Sequence, residues 1–134
     1  MKLLLIIAAV IEAVAGLALL LIPTVAVSAL LGAPLDTATG LAVGRIAGAA
    51  LVALAIACWQ ARNGERGSSA TGVVEAMSFY NFAAAMALVY AGTRLDLRSA
   101  LLWPAIVLHL VLGAWCVVTL WFSRQRLSRS EKTL

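Results

Sequence analysis

Four long apolar stretches alternate with short polar segments along the chain. They run over about residues 3–22, 41–61, 72–91 and 101–122. A stretch of about 18 or more predominantly apolar residues is long enough to cross the hydrocarbon core of a bilayer as a helix. The pattern therefore predicts an all-α integral membrane protein, built as an antiparallel four-helix bundle.

The segment between the first two stretches, PTVAVSALLGAPLDTATG, predicts a further, shorter element. Pro23 is expected to end the first helix. The apolar run TVAVSALL is too short to cross a membrane, so we expect a short helix that lies at the membrane interface or caps the bundle. Thr37 or Thr39 is a candidate N-cap of the next helix, and Ser99 is a candidate N-cap of the last one.

Composition leaves no room for a separate soluble domain. Hydrophobic residues make up 63% of the chain and charged residues 12%, whereas soluble domains have about 25% charged residues. We therefore expect residues 1–134 to form a single membrane domain, in which residues 123–134 are a basic cytoplasmic tail.

Basic residues are unequally divided between the two ends of the expected bundle. One end receives Lys2, Arg62, Arg66, Arg124, Arg126, Arg129 and Lys132, and the other receives Arg94 and Arg98, with Arg45 just inside it. The end richer in Lys and Arg is expected to be cytoplasmic, which places both termini there. The net charge of +4 then indicates topology and contact with anionic lipids. Nucleic acid is not an expected partner, because the basic tail has no interleaved aromatic residues.

Each long helix carries a strongly polar position in its outer half or near its middle. At about 1.5 Å of rise per residue, Glu12 and Asn81 lie roughly 15 Å below the outer ends of their helices. His109 lies roughly 12 Å deep and Arg45 roughly 6 Å deep, and Tyr80 adjoins Asn81. An ionisable group at the bilayer centre costs about 2.5–3.5 kcal/mol on insertion scales, so such groups are expected to face the bundle interior. These five residues form our candidate ligand-binding site.

Glu12 is the strongest member of this set. Its helical neighbours three and four positions away are small, namely Ala8, Ala9, Ala15 and Gly16. Small residues let another helix approach closely, so we expect Glu12 to be a partnered interior residue. Two of three open alternatives have Glu12 ionised, either opposite Arg45 or opposite a protonated His109. In the third, protonated Glu12 donates a hydrogen bond to Asn81 or His109.

The other candidates also have plain structural interpretations. Arg45 can extend its side chain to the outer head groups without entering a site. Tyr80, Asn81 and His109 can serve only as hydrogen-bonding groups between helices.

The second long helix carries a stripe of glycines, Gly40, Gly44 and Gly48. Small residues at this spacing permit close contact with a neighbouring helix of the bundle or with a second copy of the chain. We predict self-association through this stripe.

Metal and cofactor chemistry have little support in the sequence. The chain has one histidine and two cysteines, Cys58 and Cys116, and they form no metal-ligand spacing. The cysteines are interpreted as packing residues. We expect no metal site and no cofactor.

The strings GRIAG, YN and LLWPAIVLH, in helices two to four, resemble those of a recurrent group of small bacterial four-helix membrane proteins of unassigned function. This resemblance implies a multi-pass protein of the bacterial inner membrane. The strings IEAVAG and RLDL resemble the small multidrug resistance exporters, whose first helix carries an essential membrane-embedded glutamate. That resemblance implies proton-coupled export with Glu12 as the essential residue. Arg45 and His109 depart from the exporter pattern.

The sequence thus favours a small membrane protein that binds a lipophilic or amphiphilic molecule in an outer-half polar pocket. The alternatives are a structural or accessory subunit of a larger membrane complex and a proton-coupled exporter. No motif of a nucleophilic, phosphate-binding or metal-dependent enzyme is present, so the sequence favours a role other than catalysis.

Overall fold

The computed structural model describes residues 1–64 and 69–131, with side chains up to residue 125. The helices are α1 (Lys2–Leu21), α2 (Pro23–Leu31), α3 (Ala38–Ala61), α4 (Ser69–Arg94) and α5 (Leu102–Glu131). No strand occurs within these described ranges. Helices α1, α3 and α4, and residues Leu102–Gln125 of α5, are each long and apolar enough to cross a membrane. The all-α class and the four long apolar helices are confirmed, as expected for a multi-pass membrane protein.

The helix ends follow local sequence rules. Helix α1 ends at Leu21, and Pro23 is the first residue of α2, where its missing N–H costs no helical hydrogen bond. Helix α2 ends at Gly32, whose φ of 77° lies in the left-handed region that favours glycine. Thr37 caps α3, because its hydroxyl accepts a hydrogen bond from the Gly40 N–H at 3.0 Å. The predicted short helix and the Thr37 cap are therefore confirmed.

Ser99 joins two connecting segments at one end of the bundle. Its hydroxyl accepts hydrogen bonds from the N–H groups of Leu101 at 3.2 Å and Leu102 at 3.1 Å, which caps the start of α5. The same hydroxyl donates to the Leu30 carbonyl at 2.6 Å. Helix α2 and residues 95–101 therefore lie together, and we call this end of the bundle the α2 end.

The opposite end carries the C-terminal part of α5. This helix continues to Glu131, so residues 123–131 of the expected tail are a helical extension of the last span. Arg124 binds Glu75 of α4 with a nitrogen–oxygen distance of 3.0 Å, and both side chains are exposed. The side chains of Arg126 and Arg129, together with the whole of Arg66 and Lys132, lie outside the described part of the chain.

The four long helices form two closely packed pairs, α1 with α3 and α4 with α5, and contacts between the pairs are less extensive. In the α1–α3 pair the two backbones nearly touch. A Cβ atom added at Gly48 would lie 2.6 Å from the Leu20 nitrogen, and one added at Gly16 would lie 2.8 Å from the Gly48 carbonyl oxygen. Only glycine at both positions permits this approach.

The rest of the glycine stripe also packs within the chain. A Cβ atom at Gly44 would meet Leu35 at 3.0 Å and Pro23 at 3.4 Å, and one at Gly40 would meet Thr37 and Leu35. The stripe therefore packs against α1 and the α2 region of its own chain. These contacts lie within one chain, and self-association of the protein stays a prediction.

An apolar core joins all four long helices on the side of the bundle away from α2. It comprises Leu4, Leu5, Ala8, Ala9, Cys58, Ala61, Ala70, Val74, Met77, Leu112 and Cys116. Large apolar side chains cover the outside instead, and Phe79 is 79% exposed and Ile46 70% exposed. Large apolar residues on the outside are typical of helices that face lipid.

Candidate functional site

Glu12 lies in the middle of α1 and is almost completely buried, with 1% of its surface exposed. The small residues around it allow this, because Ala8, Ala9 and Gly16 are also buried on the same face of the helix. The sequence-based prediction of an interior position for Glu12 agrees with its burial.

The Glu12 carboxyl group lacks a full set of partners. Its Oε1 atom is buried and accepts no hydrogen bond from any described residue. The Tyr80 hydroxyl of α4 is placed to donate to this carboxyl group, but it leaves Oε1 free. Buried polar atoms almost always have a partner, so an orphaned carboxylate oxygen in an apolar interior is a specific anomaly.

Asn81 and His109 form the second part of the cluster, between α4 and α5. Asn81 has no exposed surface, and its Nδ2 donates to the Met77 carbonyl at 2.8 Å. Its Oδ1 then faces His109 Nδ1 at 2.9 Å. Because a carbonyl oxygen only accepts, this geometry assigns a proton to His109 Nδ1.

Tyr80 links the two parts. Its ring contacts the His109 ring edge to face, with centroids 5.7 Å apart and an interplanar angle of 80°. Its hydroxyl points to the Glu12 carboxyl group. The structure thus brings Glu12, Tyr80, Asn81 and His109 into one polar cluster at the seam between the two helix pairs.

Arg45 is not part of this cluster. Its side chain is exposed, and it makes no hydrogen bond or ion pair with any described residue. The reason is its position on α3, about 100° around the helix from the glycines that face the chain's interior. The structure does not bring Arg45 together with Glu12, and the interpretation of Arg45 as a head-group residue fits its exposure.

The two cysteines lie close to each other in the apolar core. Cys58 of α3 has no exposed surface and lies within electrostatic reach of both Glu12 and Cys116 of α5. Both thiols belong to the apolar core, as the packing interpretation required. The proximity of Cys58 to Glu12 depends on how α3 rotates against α1, which no local sequence signal reveals.

The described grooves lie elsewhere. One runs along the α1–α3 pair past Val10, Val52 and Trp59, and the other runs along α4 past Phe82 and Tyr90. Neither is lined by Glu12, Tyr80, Asn81 or His109. Within the described residues, no group of three or more His, Cys, Asp or Glu side chains is arranged to hold a metal ion.

Comparisons of the chain with protein-family models, curated proteins and solved structures find no match. The chemistry of the cluster is therefore the guide to function. A carboxyl oxygen without a partner, in a cluster with a phenol and an imidazole, can accept a hydrogen bond from a bound molecule, and in its ionised form it can pair with a cation.

Proposed function

We propose that the protein is a small membrane binding protein that takes up an amphiphilic molecule whose polar end is an amine. The observation that carries this proposal is the orphaned Oε1 atom of the buried Glu12 carboxyl group. A ligand that donates a hydrogen bond or a charge to this atom would remove the cost of leaving it unpaired.

The residues around Glu12 favour an amine over an anion. The cluster contains no Lys or Arg side chain among the described residues, since Arg45 is exposed and the remaining described Lys and Arg side chains lie near the ends of the long helices or in the connecting segments. An ammonium group would pair with the carboxylate and would lie beside the Tyr80 ring, whose face attracts cations. The surroundings of Glu12 on α1 and α3 are apolar and suit the lipophilic part of such a ligand.

The division of the bundle into two helix pairs offers a ligand a route to the polar cluster. Contacts between the α1–α3 pair and the α4–α5 pair are less extensive than contacts within each pair. Glu12 belongs to the first pair, and Tyr80, Asn81 and His109 belong to the second. A lipophilic molecule would therefore reach the cluster from the bilayer by separating the pairs, without unfolding either one.

We further propose an antiparallel bundle with both termini in the cytoplasm. Contacts of Gly16 with Val52, of Leu20 with Gly48 and of Pro23 with Gly44 support opposite directions for α1 and α3. The resemblance to small bacterial membrane proteins supports an inner-membrane location. Reporter fusions after residues 35, 67, 96 and 134 test the topology, and a periplasmic signal at the C-terminus would overturn it.

The binding proposal is tested by titrating the full chain, purified in mild detergent, with a lipophilic alkylamine. A quinone and the uncharged alcohol of the same chain length serve as comparison ligands. We expect saturable binding of the amine by calorimetry, and binding at least about tenfold weaker in Glu12→Gln. The matched control is Glu75→Gln, which removes an exposed carboxylate and is expected to bind like the wild type.

Two results would overturn the proposal. One is equal amine affinity in the wild type and in Glu12→Gln. The other is equal affinity for the amine and its alcohol in the wild type. Recovery of a stable heteromeric complex from mild detergent, with no amine binding, would instead support the structural-subunit alternative.

A further inference from the structure

A groove on the outside of the α4–α5 pair has the length and polarity of a single lipid. It has a volume of about 390 Å³ and is open to the surroundings of the bundle. Phe82, Met86, Val89, Tyr90 and Arg94 of α4 line it, with Leu110 of α5 on the opposite wall. Phe82, Met86, Tyr90 and Arg94 recur every four positions, with Val89 beside Tyr90, so these α4 residues form one continuous stripe of the helix surface.

The groove is about as long as one leaflet is thick. Residues 82 to 94 cover roughly 18 Å of helix, and half of the hydrocarbon core is about 15 Å thick. Its inner end begins beside Asn81, at the level of the polar cluster. Its other end is the last turn of α4, next to residues 95–101 at the α2 end.

The polar groups lie at one end only. The inner part is lined by apolar side chains, and Phe82 is held by packing its ring on Gly113, where an added Cβ atom would be 3.1 Å from the ring. Arg94 is exposed and forms no ion pair with any described residue. The Tyr90 side chain is 58% exposed one turn before it. An arginine at this level presents several donors to a phosphate group.

We propose that this groove is a binding site for one glycerophospholipid of the leaflet at the α2 end. One acyl chain lies along Phe82, Met86 and Val89, and the phosphate group is bound by Arg94. The charge of Arg94 and the match between groove length and leaflet thickness carry the assignment. The site is separate from Glu12 and stands or falls independently of the proposed function.

The proposal is tested by native mass spectrometry of the full chain in detergent, titrated with defined lipids. The lipids are phosphatidylglycerol, phosphatidylcholine and diacylglycerol with the same acyl chains. The first two carry a phosphate group, and diacylglycerol carries none. We expect one phospholipid molecule to bind per chain, and diacylglycerol to bind roughly tenfold more weakly because it offers no phosphate to Arg94.

Three variants sharpen the test. Arg94→Gln is expected to weaken phospholipid binding roughly tenfold, and Val89→Trp is expected to block the groove without disturbing the core, since Val89 is exposed. Arg98→Gln is the matched control, because Arg98 is exposed nearby but already pairs with Asp96 at 2.8 Å. It should bind like the wild type, as should Glu12→Gln.

Equal phospholipid binding by Arg94→Gln and the wild type would overturn the proposal, as would equal binding of diacylglycerol. A dimer of this chain that blocks lipid binding and is lost in Val89→Trp would overturn it as well, because the groove would then be an interface between copies.

Discussion

The two helix pairs are held together by different means. In the α1–α3 pair the backbones approach to contact at Gly16 and Gly48, and no side-chain hydrogen bond joins the two helices among the described residues. In the α4–α5 pair, Asn81 binds His109, and the Phe82 ring packs on Gly113. The first pair relies on close packing of small residues, and the second relies on polar and aromatic side chains.

This difference explains why Glu12 is left incompletely paired. The polar groups of the α4–α5 pair largely satisfy each other, whereas α3 offers α1 mainly small apolar residues. Glu12 therefore turns to the other pair, where the Tyr80 hydroxyl is its hydrogen-bond partner and Oε1 is left without one among the described residues. An unpaired polar group can persist at the seam between a tightly packed pair and a hydrogen-bonded pair. Under the proposed function, a ligand donates the missing hydrogen bond there.

The largest effect is expected for Gly48→Ala. The new Cβ atom would lie 2.6 Å from the backbone nitrogen of Leu20, which cannot move aside as a flexible side chain can. Overpacking of this kind costs about 1–3 kcal/mol, and the better helix propensity of alanine offsets up to about 1 kcal/mol of that. The free energy of unfolding in mixed detergent micelles measures the loss.

Two glycines serve as controls for this change. Gly44→Ala meets the flexible Leu35 side chain at 3.0 Å and should cost less, and Gly72→Ala meets nothing within 4 Å and should be neutral or stabilising. If Gly48→Ala were as stable as Gly72→Ala, backbone contact would not hold the first pair together.

The second prediction concerns the hydrogen bond of the other pair. Asn81→Ala removes the acceptor of the His109 N–H and should destabilise the protein by about 1–2 kcal/mol. In a double-mutant cycle with His109→Ala, the coupling energy should be about 0.6 kcal/mol and no more than about 1.7 kcal/mol, the range of hydrogen bonds between membrane helices. Additive effects of the two substitutions would show that this bond does not join the pair.

The third prediction compares two helix caps. Ser99→Ala should cost about 1 kcal/mol, because it removes the cap of α5 and the hydrogen bond to Leu30 together. Thr37→Ala removes only a cap on an exposed helix start and should cost about half as much. Equal losses in thermal melts would argue against the link between α2 and residues 95–101.

Glu12→Gln should have the smallest effect on stability, below about 1 kcal/mol. The substitution keeps the shape of the side chain, and Oε1 has no hydrogen bond to lose. A loss of more than about 2 kcal/mol in the same micelle assay would indicate that Glu12 is an ionised member of a buried pair, as in two of the alternatives raised from the sequence.

Local features of this fold could be predicted well from the sequence. The four apolar stretches, the break at Pro23, the short helix after it and the Thr37 cap depend on residues within a few positions of one another. Burial of Glu12 could also be predicted, because its small neighbours mark the face of α1 on which another helix packs.

Features that depend on helix rotation could not be predicted. Depth along the membrane placed Arg45 near the polar cluster, but its position around α3 turns it outward. The glycine stripe was correctly read as a surface for close contact, yet its spacing alone does not distinguish α1 of the same chain from a second copy. The pairing of Asn81 with His109 was one of several combinations at similar depth, and the structure selects it.

The central claim is that Glu12 has a carboxyl oxygen without a hydrogen-bond partner, and that a bound ligand supplies this partner. Infrared difference spectroscopy of the full chain, recorded with and without the lipophilic amine, observes this group directly. We predict a change in a carboxyl band on addition of the amine, and the loss of that change in Glu12→Gln but not in Glu75→Gln. The same difference spectrum in the wild type and in Glu12→Gln would contradict the account.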